Sequence, residues 1–245
     1  MPVSDSSTIG QALIAHCTAA ALAGYERNGW FGATSNKNLT AMFDDVTSQL
    51  NHRHVAAVGQ DIRIVRPDGK SAWVGPKYLA VLCAGMQAGT PIATPLTWKR
   101  PSVLDVRGGW KLNLDAAEAI SKGVCTISRD NLGFRIERSV TTHLEDDNPI
   151  YSEVSANESA NYSVRDLRAA LIGQIGGAVY VGTAKRLESV VKTRLDKQVQ
   201  DQGIKAWRNA SVEDLGDTFR INYEVAAVEP LNFIQITASV VRIAA

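Results

Sequence analysis

A chain of 245 residues is long enough to bury one large core or two smaller ones. Its 26 Lys and Arg against 25 Asp and Glu leave a net charge of +1, so bulk electrostatics supply no attraction for nucleic acid or for an anionic membrane. With 45% apolar and 21% charged residues, the composition is that of an ordinary globular protein, neither disordered nor membrane-spanning.

Residues 8–24 place Ile9, Leu13, Ile14, Cys17, Ala20 and Ala21 at helical spacing, with Ser7 or Thr8 as cap and Gly24 as stop. The first ten residues lack the basic-then-apolar signature of a signal peptide. Asn28-Gly29 reads as a turn and Trp30–Ala33 as a short strand. Asn36 or Asn38 then opens a second helix whose Leu39, Met42, Phe43, Val46 and Leu50 form one apolar stripe. His54–Val58 and Asp61–Val65 read as strands, Pro67-Asp68-Gly69 as a turn, and Pro76–Met86 as a third helix ended by Gly89. Helix, strand, helix, strand, helix is the pattern of an α/β layer.

Thr90 to Trp110 holds three prolines and two adjacent glycines, and predicts a long connection. Asn113 is placed to cap a short helix through Ile120 that ends at Gly123, and Val124–Ser128 with Phe134–Thr142 predict a hairpin turning at residues 130–133. The acidic loop Glu145-Asp146-Asp147-Asn148-Pro149 marks the expected boundary between residues 1–145, an α/β core with a mixed sheet flanked by helices, and residues 146–245, a C-terminal α+β domain with antiparallel strands.

Ser163 and Asp166 resemble a capping box, opening a helix that buries Val164, Leu167, Leu171, Ile172 and Ile175. Ala184–Gln202 is the clearest helix, with an apolar stripe of Leu187, Val190, Val191, Leu195 and Val199. Lys185, Arg186, Lys192, Arg194 and Lys197 crowd its polar side. A solvated face with pairs such as Glu188–Lys192 explains such a run without further function; the sharper reading is a docking helix for an acidic partner. Ile204–Asn209 is a candidate strand. Two alternating runs close the chain: Phe219, Ile221, Tyr223 and Val225, then Ile234, Ile236, Ala238 and Val240. A chain that stops inside a strand leaves an edge able to pair with another chain, here guarded by the single charge of Arg242.

The sequence carries no nucleophile elbow, zincin helix, paired CxxC, phosphate-binding loop or dinucleotide fingerprint. His52-Arg53-His54 has a spacing seen in metal sites, yet only His16 and His143 remain as further imidazoles. Glu145-Asp146-Asp147 lacks the glycine and terminal glutamate of a calcium loop. Cys83 lies among apolar residues, which raise a thiol's pKa, and three separated cysteines point to a reducing compartment. No catalytic residue, cofactor site or metal site is expected; an enzymatic reading would have to rest on His143, Asp146 or Asp147.

Several stretches carry a resemblance that covers nearly the whole chain: GQALIAHC near the start, YLAVLCAGMQAGTPIATP over residues 78–95, Trp110 with the helix after it, FRIERSVTTH, RDLRAAL from Arg165, and GDTFRINYEVAAVEPLNFIQI. In order and spacing they resemble the sheath proteins of contractile phage tails and related injection systems. The resemblance implies subunits stacked in sixfold rings around an inner tail tube, with baseplate and tail terminator as further partners and no direct nucleic acid or membrane insertion. It also implies strand addition between copies, energy held in a metastable extended lattice, and residence in the virion tail after assembly in the host bacterial cytoplasm. Carried over by position, Phe233, Ile234, Ile236, Val240 and Arg242 fall on the exchanged strand, and Lys185, Arg186, Lys192, Arg194 and Lys197 on a tube-facing helix. Family members are often longer at the N-terminus, so the sequence is expected to be a divided product, a fragment or a compact variant. A baseplate or tail-terminal adaptor on the same fold is the alternative function.

Overall fold

A computed structural model describes residues 5–146 and 148–232. Helix α1 (Asp5–Leu22) leads into strand β1 (Gly29–Gly32). The second predicted helix is built in three pieces: α2 (Leu39–Met42), a π-turn (Phe43–Thr47) and α3 (Ser48–Leu50). Asn38 caps it, its side chain accepting from Ala41 N–H at 2.8 Å. Leu39, Met42, Val46 and Leu50 are buried and Phe43 is half-buried.

Strand β2 (Val55–Val58) is buried at every residue and pairs parallel with β1, as expected of a central strand covered on both faces. Its other side receives the segment before β6 (Thr126–Asp130): Ala57 bridges Val124, and Cys125 N–H donates to Ala57 O at 2.9 Å. β6 pairs antiparallel with β7 (Gly133–Arg138), the hairpin turning on Gly133 at φ +116°. Side chains alternate across this sheet. Phe31, Val55, Ala57 and Val124 join α1 to α3 and α5 (Ala116–Ser121) in one cluster. Val58, Cys125, Ile127 and Ile136 join α4 (Pro76–Ala88) in the other, with Trp30 against it. The expected mixed sheet flanked by helices is therefore present.

Two short strands went unread in the sequence. β4 (Ser71–Val74) and β5 (Asp105–Arg107) flank β3 (Asp61–Val65) on either side, both antiparallel. Asn113 does not cap α5: at φ 69° it accepts from Arg129 N–H and donates to Arg129 O, holding the hairpin instead.

The largest correction concerns the next helices. After a one-turn helix α6 (Pro149–Ser152), α7 runs Val154–Leu171, so Ser163 lies mid-helix rather than at its start. Ile172 and Ile175 lie beyond its end, 69% and 82% exposed, instead of buried. α8 (Thr183–Gln200) buries Leu187, Val191 and Leu195 as its stripe predicts. β8 (Ala206–Asp214) and β9 (Phe219–Ala226) then form an antiparallel ribbon. The predicted strand over Phe233–Ile243 lies outside the described residues.

Candidate assembly interface

Helix α7 is the spine on which the C-terminal elements are hung. Much of the burial along its first half is polar: Ser155, Asn157, Ser159, Asn161 and Ser163 are all inside, while Glu158, Ala160 and Tyr162 are half-buried. Burying such groups is costly unless they are paired; Asn157, Ser159, Asn161 and Ser163 are, while Ser155 Oγ has no hydrogen-bond partner among the described residues. The Asn157 amide nitrogen donates to Asn28 Oδ1 at 2.7 Å and Arg53 O at 2.8 Å, and lies 3.0 Å from His54 Nδ1. Around this core of bonds, Glu26 pairs with Arg168 at 2.7 Å, and Arg165 bonds both Glu158 and the Glu26 carbonyl. Burial, then Arg53 and His52, holds the His54 pKa down at about 4.

The same helix anchors the ribbon. Ser159 Oγ donates to Gly203 O at 2.5 Å and accepts from Val228 N–H at 3.1 Å. Asp166 accepts from Nε and Nη2 of Arg194 and, at 2.8 Å, from the Gln198 amide. Leu167, Val191, Leu195 and Ile204 form the core beneath, and Trp207, Val212, Ile221, Tyr223 and Val225 of the ribbon pack onto it.

The ribbon's geometry follows from its alternation. Val212 faces Ile221 and Trp207 faces Val225, all turned inward, while Arg208, Ser211, Glu213, Arg220, Asn222 and Glu224 are exposed. A bulge between Arg208 and Ser211, with Asn209 at φ 56°, adds local twist. Among the described residues β8 and β9 pair only with each other, so both long edges present unpaired backbone.

The basic residues of α8 divide. Arg194 is committed to Asp166, and Lys192 pairs with Glu188. Lys185, Arg186 and Lys197 are exposed, with no ion pair among the described residues. The other sequence candidates have local partners: His52 Nδ1 accepts from His54 N–H at 3.2 Å, and His143 Nε2 lies 3.0 Å from Asp146. Among the described residues no three His, Cys, Asp or Glu converge as metal ligands, and no helix is long and apolar enough to cross a membrane. What the sequence did not disclose is the polar seam of α7, whose only sequence signal is a run of Ser and Asn at alternate positions from 155 to 163.

This is the fold of the sheath subunits of contractile tails. The chain superposes on the helical sheath of the anti-feeding prophage in its contracted state with a TM-score of 0.68, over 95% of this chain and 66% of that one, at 16% identity. It superposes on the contracted sheath of an extracellular contractile injection system, the PVC complex, with a TM-score of 0.63, over 85% and 62%, at 13% identity. In sequence, it is 27% identical over 167 residues to the tail sheath protein of Bacillus phage SP01, covering 65% of this chain and 28% of that protein. It is 24% identical over 195 residues to the tail sheath protein of Staphylococcus phage Twort, covering 77% and 33%. The chain thus spans about a third of the length of these curated relatives. No family model matches the sequence.

Proposed function

We propose that this chain is a structural subunit of a contractile tail sheath, stacking as rings of sixfold symmetry around an inner tube and driving that tube through the host envelope on contraction. The observation that carries this is the β8–β9 ribbon, packed on α7 and α8 and, among the described residues, without a further strand on either edge. An open edge accepts an added strand with full backbone pairing. The donor is the C-terminal segment of an adjacent copy, with Phe233, Ile234, Ile236 and Val240 lending backbone and apolar contact and Arg242 discouraging unwanted pairing. A contact that joins different surfaces of successive copies extends without closing, which suits a helical stack.

The basic face of α8, from Lys185 and Arg186 through Lys192 and Arg194 to Lys197, faces the inner tube. Arg194 and Lys192 serve there chiefly by fixing the helix, and Lys185, Arg186 and Lys197 supply the charge. We place the division between core and C-terminal domain near residue 145, with α7 bonded to both sides. The subunit has a structural and not a catalytic role, resides in the virion tail after assembly in the host bacterial cytoplasm, and meets baseplate and tail terminator at the ends of the stack.

A second reading is favoured by one observation: the chain also superposes on the anti-feeding prophage baseplate, with a TM-score of 0.60 over 78% of its length. A baseplate or tail-terminal adaptor would close at one layer. Negative-stain microscopy of purified protein separates the two. Long tubes support the sheath, closed rings the adaptor, and a persistent monomer neither.

A further inference from the structure

Glu153 is a carboxyl shut away from water with too few donors around it. It immediately precedes α7, is 0% exposed, and bridges Val140 just past the end of β7. Its Oε1 accepts from Arg138 Nε and, at 2.9 Å, from the Asn232 amide nitrogen. Its Oε2 is buried and has no hydrogen-bond partner among the described residues, and neither has the buried Oδ1 of the same Asn232. The start of α7 does not supply the missing donor, because the Glu153 side chain makes no capping bond. The other titratable group close enough to feel its charge is the buried Cys125 thiol, in the segment before β6. Contact with Cys83 and burial hold that thiol well above its usual pKa, so it stays neutral.

Two buried acceptors on side chains already bonded to each other call for a donor between them. An ionised carboxylate can only accept, whereas a protonated one carries an O–H. A single proton on Oε2, donated to Asn232 Oδ1, satisfies both atoms at once. Two planar groups are then joined by two bonds, Nδ2–H to Oε1 and Oε2–H to Oδ1, in the ring of a carboxylic acid–amide pair. Arg138 keeps its bond to Oε1.

We infer that Glu153 is protonated in the folded chain and closes this ring with Asn232, a proton-operated latch that ties the start of the C-terminal segment to the core. When the proton is lost to solvent, Oε2 and Oδ1 confront each other as two acceptors, and Arg138 is left as the carboxylate's chief partner. Burial raises the Glu153 pKa and Arg138 lowers it, with burial the larger effect. The latch lies within one chain. Only its use, fixing the root of a lent strand, rests on the sheath reading proposed above, and neither readout below depends on tubes forming.

Glu153→Gln isolates the proton. A glutamine amide donates from Nε2 where the acid donates from Oε2, so E153Q keeps the ring closed at every pH. Folding constants of the full chain and of E153Q are read from urea titrations at a series of pH values. A folded pKa above the unfolded one means that the folded chain binds more protons. The stabilisation from Glu153 is then complete below about pH 4.3 and is lost as pH rises through the folded pKa. The two chains should match at the acid end, and the wild-type constant should then fall relative to E153Q by up to about tenfold per pH unit. Infrared spectra of the wild type should show a carboxylic acid carbonyl band that outlasts those of the ordinary carboxyls as pH rises. That band should be missing in E153Q and displaced in Asn232→Ala. A gap that opens the other way, with E153Q the weaker chain and increasingly so as pH rises, would overturn the proposal, because an ionised carboxylate held by Arg138 and a buried water behaves like that. So would failure of E153Q to fold, or a wild-type spectrum without the persistent band.

Discussion

Asn157 shows how much of this molecule rests on single polar side chains. Its amide nitrogen serves Asn28, Arg53 and His54 from a position 2% exposed. Asn157→Ala strands those acceptors in the interior, and a lowered urea midpoint corresponding to about 1–3 kcal/mol is expected. Arg194→Ala leaves the Asp166 carboxylate, 9% exposed, without its guanidinium, and should cost about 2 kcal/mol. Lys192→Ala removes an exposed pair with Glu188 and should stay within about 0.5 kcal/mol. Equal losses for the two α8 variants would show that the Arg194 pair to α7 holds the helix no better than the Lys192–Glu188 pair within it. His54 sets a pH dependence. Folded, it titrates at about 4, against about 6.5 when unfolded. Between these values the unfolded chain binds more protons, so stability falls as pH drops from about 6.5 towards 4. Burial and the neighbouring Arg53 and His143 shift His52 in the same direction, whereas burial raises Glu153, which opposes the loss on the acid side. His54→Gln should flatten the urea midpoint against pH across that window, and an unchanged slope would remove His54 from the explanation.

At the scale of elements, legibility in the sequence followed apolar periodicity. α8 and the inward face of β9 were plain because Leu187, Val191 and Leu195, and Ile221, Tyr223 and Val225, repeat at the periods of helix and strand. α7 was half hidden because its buried face is serine and asparagine, residue types that favour caps and turns when nothing pairs them; the partners that make a helix of 155–163 come from residues 26–54 and 203–228. β4 and β5 are three or four residues long and are specified by their pairing with β3. The α8 surface gives an element-scale test. Lys185→Glu, Arg186→Glu and Lys197→Glu together should abolish co-assembly with an inner tube while leaving the thermal midpoint unchanged. Normal co-assembly by electron microscopy would take the tube away from this helix.

For the whole molecule, the candidate interface was legible only in outline. An alternating C-terminus implied strand exchange, and an antiparallel C-terminal sheet was expected, but the candidate strand was stopped at Asn209 whereas β8 runs to Asp214 and pairs with β9 across a turn at residues 215–218. The described residues form a sheet flanked by helices, joined through α7 to a ribbon in which β8 and β9 pair only with each other among those residues. Comparing the sedimentation of the full chain with that of a chain ending at Asn232 tests strand lending between copies. The full chain should sediment as large tubular assemblies and the shortened one as a folded monomer; tubes of equal size from both would show that the last residues lend nothing to their neighbours.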